Sequence, residues 1–327
     1  MPGRPLRAAG IAMGLLLPVA GGWAQPPAGG CTVARYHVVA LPMSPAGIND
    51  AGQVAGTTRS HRAALWSAKN GLLELPLPPG YDFSEAAAIN ARGHIVGMVY
   101  DRSFTRHRPF IYANDVLTLL EGEQAHAYQI ADGDEVAGEA VVPGKTQSAP
   151  ALWINKRIHL LATCCGGVAK RIIDHGAVVG DAYDEQGHYH AYMGAEEGGL
   201  RRIGPPDGFS SAAAANDRGH TVIEASARTY LYADGQSTRI ELPSKFPKHA
   251  HAINGCDIIV GSFGPFSDAD RAFAWERSSG FQDLNTRIPS DSGWKLESAT
   301  AINNRGEIAG KGDPPGDADG GFLLVPE

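Results

Sequence analysis

The stretch Ala86–Gly97 reads AAAINARGHIVG, and closely similar phrases occur six more times along the chain. The position that Ile89 holds in this copy falls, across the seven copies, at Ile48, Ile89, Ile130, Ile172, Ala215, Ile253 and Ile302. Successive copies are therefore 41, 41, 42, 43, 38 and 49 residues apart. A period of about 42 residues is typical of the four-stranded blades of β-propellers.

Each copy divides into four short segments, which we name strands a to d. Strand a is the Ala-rich segment that ends in Ile-Asn. The following Asn-x-x-Gly predicts a tight turn, because Asn favours the start of such turns and Gly accepts a positive φ. Strand b is the HIVG-like segment, and strand c is an aromatic phrase such as RPFIY or RAFAW. Turn dipeptides such as Asp234-Gly235 lead on to strand d, so each copy predicts one antiparallel blade.

The two ends of the chain complement each other. The seventh copy stops at GGFLLVPE, which corresponds to strand c, and has no strand d. The segment ARYHVVALP precedes the first strand a and is a spare strand d. Pairing of the two segments would close a ring and protect the sheet edges. The sequence therefore predicts an all-β fold, a closed seven-bladed β-propeller with four strands per blade, in preference to an open β-solenoid.

The N-terminus has the pattern of a secretory signal peptide. Arg4 and Arg7 give a basic start, residues 8–20 are apolar but too few to span a bilayer, and small residues favour cleavage after Ala24. A buried N-terminal helix and a lipoprotein attached through Cys31 are the less favoured alternatives. We expect a signal peptide at 1–24, a linker at 25–35, a single propeller domain at 36–327, and a secreted or periplasmic location.

Charge and hydropathy narrow the range of partners. The 327 residues carry a formal net charge of −7 and contain no run of Lys or Arg, which argues against binding to nucleic acid or to an anionic membrane surface. No apolar run reaches the roughly 18 residues that a transmembrane helix requires. We expect a monomer that binds an unidentified protein or an envelope glycan and uses no cofactor.

The alternation of the AIN-x-x-G-x-IVG phrase with the aromatic phrase resembles the HAF-repeat proteins, a group of extracellular bacterial repeat proteins. The resemblance extends from Tyr36 to Glu327. It implies an exported location and supplies no catalytic residues. The residues that carry it are Ile89-Asn90, Ile253-Asn254 and Ile302-Asn303, and the segments closest to the name-giving triad are His190-Ala191-Tyr192 and Arg271-Ala272-Phe273.

Four cysteines, Cys31, Cys164, Cys165 and Cys256, allow three pairings. In a propeller the a-to-b and c-to-d turns lie on one face, and the b-to-c and d-to-a loops lie on the other. This arrangement places Cys31 one blade from Cys256. We therefore predict a Cys31–Cys256 disulfide, with Cys164 and Cys165 either bonded to each other or free. Four free thiols are the alternative.

Ligand-binding residues are expected in the b-to-c loops, because loops on a rigid scaffold carry function and these loops vary most in length and charge. The recurring Asn phrase is interpreted as purely structural. The candidates are Arg102, Arg106, His107, Asp184, His188, His190, Asp268 and Asp270.

One pair of these candidates has the spacing of metal ligands. His188 and His190 are two residues apart, so on a strand they share a face and could hold one ion together with Asp184. Ordinary solvated loop residues are the favoured interpretation, and no metal site is predicted.

The sequence contains no GxSxG nucleophile motif and no Walker-type phosphate loop. The leading hypothesis is an exported propeller that acts as a binding or interaction module. The alternative is an exported hydrolase or lyase whose active site is assembled from loops at the propeller centre.

Overall fold

The computed structural model describes residues 32–161, 166–173, 176–195, 199–205, 208–242, 248–264, 270–316 and 320–327, without the side chain of Lys248. Within these residues the chain forms 28 β-strands in seven four-stranded antiparallel sheets. Each sheet packs against the next, and the seventh packs against the first. The predicted all-β, seven-bladed β-propeller is confirmed.

The strands are numbered in chain order. Blade 1 contains β2 (Ser44–Ile48), β3 (Val54–Thr57), β4 (Ala63–Ser67) and β5 (Gly71–Glu74). Blade 2 contains β6 (Phe83–Ile89), β7 (Ile95–Tyr100), β8 (His107–Ala113) and β9 (Val116–Leu119). Blade 3 contains β10 (His126–Ile130), β11 (Val136–Val141), β12 (Ser148–Ile154) and β13 (Arg157–Leu160). Blade 4 contains β14 (Gly167–Ile172), β15 (Val178–Tyr183), β16 (Tyr189–Ala195) and β17 (Gly199–Arg202).

The remaining blades repeat this order. Blade 5 contains β18 (Ser210–Ala215), β19 (Thr221–Ala225), β20 (Arg228–Ala233) and β21 (Gln236–Ile240). Blade 6 contains β22 (Lys248–Ile253), β23 (Ile259–Phe263), β24 (Arg271–Glu276) and β25 (Gly280–Asp283), followed by a 3-10 turn at Leu284–Thr286. Blade 7 contains β26 (Lys295–Ile302), β27 (Ile308–Asp313), β28 (Gly320–Pro326) and β1 (Tyr36–Leu41).

The ring closes through the N-terminal strand, as predicted. Strand β1 pairs antiparallel with β28, from Tyr36 opposite Pro326 to Leu41 opposite Gly321. Tyr36 is buried, and its backbone N–H donates to the carbonyl of Arg287 at 2.9 Å. Both ends of the described chain are therefore fixed in one blade, and blade 7 has its full four strands.

The glycine of the IVG phrase is required by close packing inside the blade. A Cβ on Gly97 would lie 1.9 Å from the carbonyl oxygen of Glu85 on strand a and 2.9 Å from the ring of Phe110 on strand c. A Cβ on Gly138 would meet His126 and Trp153 in the same way. The aromatic residue of strand c thus packs over the glycine of strand b, which explains why the two phrases recur together.

Every innermost strand carries a β-bulge two residues before the position equivalent to Ile89. Bulges re-aim side chains and increase the local twist of a strand. The bulged residues are Ala46, Ala87, Tyr128, Lys170, Ala213, His251 and Thr300. The seven blades thus place equivalent residues around the central axis, and the positions at which they differ can be compared directly.

Cys256 is disulfide-bonded and packs in a cluster that also contains Val33. Cys31, Cys164 and Cys165 lie outside the described residues, so the Cys31–Cys256 pairing stays a prediction. The predicted signal peptide at 1–24 also lies outside them. No helix in the described part of the chain has the length and hydrophobicity that crossing a bilayer requires.

Candidate functional site

The asparagine of the recurring phrase joins each blade to the next. In blade 2 the Asn90 side-chain oxygen accepts the backbone N–H groups of Arg92 at 3.1 Å and His94 at 2.9 Å. Its Nδ2 donates to the carbonyl of Ala131 in blade 3 at 3.0 Å. The side chain therefore fixes its own turn and the neighbouring blade at once.

Five blades share this arrangement, which we call the asparagine belt. Its Nδ2-to-carbonyl distances are 2.9–3.1 Å, and all five side chains are buried. The last link runs from blade 7 to blade 1. The members are Asn49, Asn90, Asn216, Asn254 and Asn303. Sequence analysis identified these residues as turn formers, but it missed the bond between blades.

Two blades depart from the belt. Blades 3 and 4 have Ala131 and Ile173 at the equivalent position. Other side chains join these blades to their neighbours: the Gln129 side-chain oxygen accepts the N–H of Ile172 at 2.9 Å, and Lys170 Nζ donates to the carbonyl of Ala212 at 2.9 Å. Side chains other than a belt asparagine thus join blades 3 and 4 to their neighbours. The bond from Lys170 has a counterpart in blade 7, where Thr300 donates to the carbonyl of Pro45 in blade 1 at 3.2 Å.

A cavity of about 750 Å³ lies on the axis, within the ends of the innermost strands and the a-to-b turns of all seven blades. We call it the axial cavity. The residue that precedes the Ile89-like position is Gly or Ala in five blades, but Gln129 in blade 3 and Arg171 in blade 4. The two departures from the belt therefore coincide with the two large polar residues at this level of the axis.

Among the described residues that line the axial cavity, Arg171 is the one with a cationic side chain. Four acidic residues also line it: Asp50, Asp132, Glu135 and Asp217. The NH1 of Arg171 donates to the carbonyl of Lys170 at 3.1 Å. Burial lowers the pKa of Arg171, and the Asp217 carboxylate opposes this shift. A guanidinium remains charged in proteins, so the cavity contains a partly desolvated positive group with several N–H donors.

A second polar group lies toward the opposite face, where strands a begin. We call it the tyrosine–histidine cluster, formed by Tyr100, His107, His126, Tyr128 and Glu139. The Tyr128 hydroxyl donates to Glu139 Oε1 at 2.8 Å, and His126 Nδ1 lies 3.5 Å from the same oxygen. The His107 and His126 rings are 4.6 Å apart.

Burial shifts the pKa values of three members of this cluster, Tyr100, His107 and Tyr128. Burial is the main cause that raises the pKa of Tyr128, with Glu139 adding to it, and burial together with Glu85 raises the pKa of Tyr100 to about 12. Burial, followed by the proximity of His126, lowers the pKa of His107. At neutral pH the cluster therefore contains protonated phenols beside a neutral imidazole.

A buried carboxylate at the blade 4 position that corresponds to Glu139 joins blades 4 and 5. Asp181 is fully buried and accepts the backbone N–H of Ala212 at 2.7 Å and the Ser211 hydroxyl at 2.8 Å. Lys170 Nζ lies 2.5 Å from its second oxygen. Four polar groups from two blades thus meet at one point, which sequence analysis did not identify.

The residues predicted in the b-to-c loops do not form one site. Arg102 is exposed and lies 3.7 Å from Asp82, and Arg106 donates to the carbonyl of Gly80 at 2.6 Å. Of the blade 2 candidates, His107 joins the tyrosine–histidine cluster. Asp270 is exposed on blade 6, and Asp268 lies outside the described residues.

The three candidates of blade 4 do converge. Asp184 Oδ2 lies 3.1 Å from His190 Nε2 and 3.4 Å from His188 Nδ1. Asp184 Oδ1 accepts the N–H groups of Gln186 and His188. The His188 N–H is the largest influence that lowers the pKa of Asp184 to about 2, and the His190 side chain also contributes.

Comparisons with known proteins bear on the fold alone. No family model matches the chain, and no curated protein sequence is similar to it. The β-propeller domain of the Trilobed protease from Pyrococcus furiosus, described as having an open velcro topology, superposes with a TM-score of 0.60 at 8% identity over 90% of this chain and 96% of that one. The WD40 β-propeller domain of Doa1 gives 0.53 at 13% identity over 90% and 97%.

A third similar structure belongs to a larger protein. A puromycin hydrolase superposes with a TM-score of 0.56 at 13% identity, over 90% of this chain but 52% of its own. The chain thus spans about half the length of that hydrolase. At these identities the similarity establishes that the chain is a β-propeller.

Proposed function

We propose that this protein is an exported β-propeller binding module that takes a small polar ligand with an anionic group into the axial cavity. The observation that carries the proposal is the coincidence at blades 3 and 4. These two blades lack the belt asparagine and place Gln129 and Arg171 where the other five have Gly or Ala. In a repeat protein, positions shared by most copies serve the architecture. Gln129 takes over the bond between blades that the missing asparagine would make, so Arg171 is the departure that favours a ligand site.

Arg171, and not the lining as a whole, supports an anionic group on the ligand, since Asp50, Asp132, Glu135 and Asp217 also line the cavity. A guanidinium binds carboxylate or phosphate through two parallel N–H···O bonds, and such bonds strengthen where water is excluded. The volume of about 750 Å³ lies within the range of small-molecule sites. The asparagine belt holds the cavity walls in place before binding, which reduces the entropy lost on association. A uronic acid of an envelope glycan has this chemistry.

Export is part of the proposal. It is supported by the signal-peptide pattern of residues 1–24 and by the resemblance to HAF-repeat proteins, which we retain as a proposed relationship. A disulfide at Cys256 is compatible with an oxidising compartment.

The Arg171→Gln variant should lose most of the affinity for the cavity ligand. We expect a panel of uronic acids, small carboxylates and phosphate monoesters to contain compounds that raise the thermal unfolding temperature of the wild type. A ligand at about 100 times its Kd stabilises a protein by about 2.7 kcal/mol. Loss of a charge-assisted hydrogen-bond pair costs about 1.5–3 kcal/mol, so affinity should fall about 10- to 100-fold, measured by isothermal titration calorimetry.

Arg305→Gln is the matched control. Arg305 is an arginine of an a-to-b turn that pairs with Glu307 and is not among the residues that line the cavity. It should bind the ligand as the wild type does. Equal affinity of the wild type and Arg171→Gln, or equal losses in both variants, would contradict the assignment of Arg171, and failure of the whole panel to bind would contradict an anionic ligand.

The tyrosine–histidine cluster favours a second candidate, a hydrolase or lyase. The protonated phenol of Tyr128 and the neutral imidazole of His107 both contact the ring of His126 and provide an acid and a base within one group of side chains. Turnover of a glycan by the wild type that the Tyr128→Phe variant abolishes would favour this function over pure binding.

A further inference from the structure

We propose that Asp184, His188 and His190 form a binding site for a divalent transition-metal ion on the hairpin between strands b and c of blade 4. The three residues belong to one short segment, the turn from β15 to β16. They lie outside the axial cavity, so this site is independent of the proposed ligand site.

Hydrogen bonds within the b-to-c turn hold the Asp184 carboxylate in an orientation suited to metal coordination. Asp184 Oδ1 accepts two backbone N–H groups, from Gln186 at 2.9 Å and His188 at 2.8 Å. The Gly187 N–H donates to the Asp184 carbonyl at 3.0 Å and closes the turn. These bonds orient the carboxylate so that Oδ2 faces both imidazoles, and no rearrangement of the backbone is needed to present it.

The distances fit one ion. With metal–ligand bonds of about 2.0–2.1 Å, the ligand atoms of a tetrahedral zinc site lie about 3.3 Å apart. Asp184 Oδ2 lies 3.1 Å from His190 Nε2 and 3.4 Å from His188 Nδ1, and all three ligand atoms are within 4.8 Å of one another. The remaining distance is the one between His188 and His190. Since His188 is exposed, a small rotation of its side chain brings its ligand nitrogen to the required distance from His190 Nε2.

The two histidines differ in burial. His190 is buried, and its Nδ1 has no hydrogen-bond partner among the described residues, so Nε2 provides the polar contact of this ring. His188 is packed edge-on against Phe209, with ring centroids 5.8 Å apart. One imidazole ligand is thus buried and the other is exposed at the surface.

Two imidazoles and one carboxylate are the donor set of Zn²⁺ and related transition-metal ions, and three protein ligands leave a coordination position open for water or another molecule. Among the residues that the structure describes, no second group of His, Cys, Asp and Glu side chains converges in this way.

Blade 6 contains a matched pair that does not converge. His249 and His251 are also two residues apart and near a carboxylate. His249 Nδ1 is 3.7 Å from Glu224 Oε2, but His251 Nε2 faces the Ser262 hydroxyl at 3.1 Å instead of that carboxylate. The spacing of two histidines is therefore insufficient, and the position of Asp184 makes the difference.

The test is a titration of the untagged, chelator-treated protein with Zn²⁺ by calorimetry and with Co²⁺ by visible absorption. We expect one ion per chain and a cobalt d–d band typical of nitrogen and oxygen ligands. His188→Ala and Asp184→Asn should each weaken binding at least about 10-fold, because even loss of a residue behind the ligands costs that much. His249→Ala should bind as the wild type does.

His188 is exposed, so the His188→Ala variant is expected to keep the wild-type thermal unfolding temperature in the absence of metal. Absence of a cobalt band in the wild type would overturn the proposal. Unchanged zinc affinity in His188→Ala, or an equal loss in His249→Ala, would overturn it too.

Discussion

The Asp181→Asn variant should unfold with a free energy about 3–5 kcal/mol lower than that of the wild type, measured by urea denaturation. Asp181 is fully buried and accepts bonds from Ala212, Ser211 and Lys170. An asparagine at this position removes the negative charge and turns an N–H₂ group toward donors. The Lys170 ammonium then loses its counter-charge, and blades 4 and 5 lose their shared acceptor.

Two further variants test whether the loss of stability comes from the contacts of Asp181. Lys170→Met combined with Asp181→Asn should recover part of the stability, since it removes the uncompensated ammonium. Asp234→Asn changes an aspartate whose side chain is 95% exposed and should leave stability within about 0.5 kcal/mol of the wild type. A urea midpoint of Asp181→Asn equal to that of the wild type would show that this group does not hold the two blades together.

The Asn90→Ala variant should lose about 2–4 kcal/mol of unfolding free energy. The substitution leaves the N–H groups of Arg92 and His94 without their acceptor and the Ala131 carbonyl without its donor from blade 2. Because Asn90 is buried, water cannot replace these bonds freely. Denaturation followed by far-ultraviolet circular dichroism measures the loss.

Asn70→Ala is the control for this substitution. Asn70 is an exposed residue of the c-to-d turn in blade 1, and its replacement should change stability by less than about 0.5 kcal/mol. If Asn90→Ala and Asn70→Ala have the same midpoint, the asparagine belt contributes nothing to stability, and the recurring phrase requires another explanation.

The fold could be predicted because its determinants are local and periodic. The repeat of AIN-x-x-G-x-IVG gives the number of blades, and the missing strand d at one end matches the spare strand at the other. The bond from Asn90 to Ala131 could not be predicted, because it depends on how two turns 41 residues apart are placed in space.

The same distinction, between residues close in sequence and residues brought together by the fold, applies to the candidate sites. The proximity of Asp184, His188 and His190 can be predicted because they belong to one hairpin, in which sequence spacing decides which side chains lie close together. Residues of different blades, such as Arg102 and Asp270, share only their type of loop, and they do not form one site. Sequence analysis misses Arg171 because it interprets the recurring phrase as wholly structural. A column-by-column comparison of the seven copies contains its signal, a large polar residue where five copies have Gly or Ala.

The most direct test of a ligand site at the axis is a crystal structure of the wild-type protein with the tightest-binding compound of the acid and phosphate panel. We expect the bound molecule in the axial cavity, with its carboxylate or phosphate oxygens within hydrogen-bond distance of the Arg171 guanidinium. A molecule bound at the b-to-c loops and not in the axial cavity would contradict a ligand site at the axis.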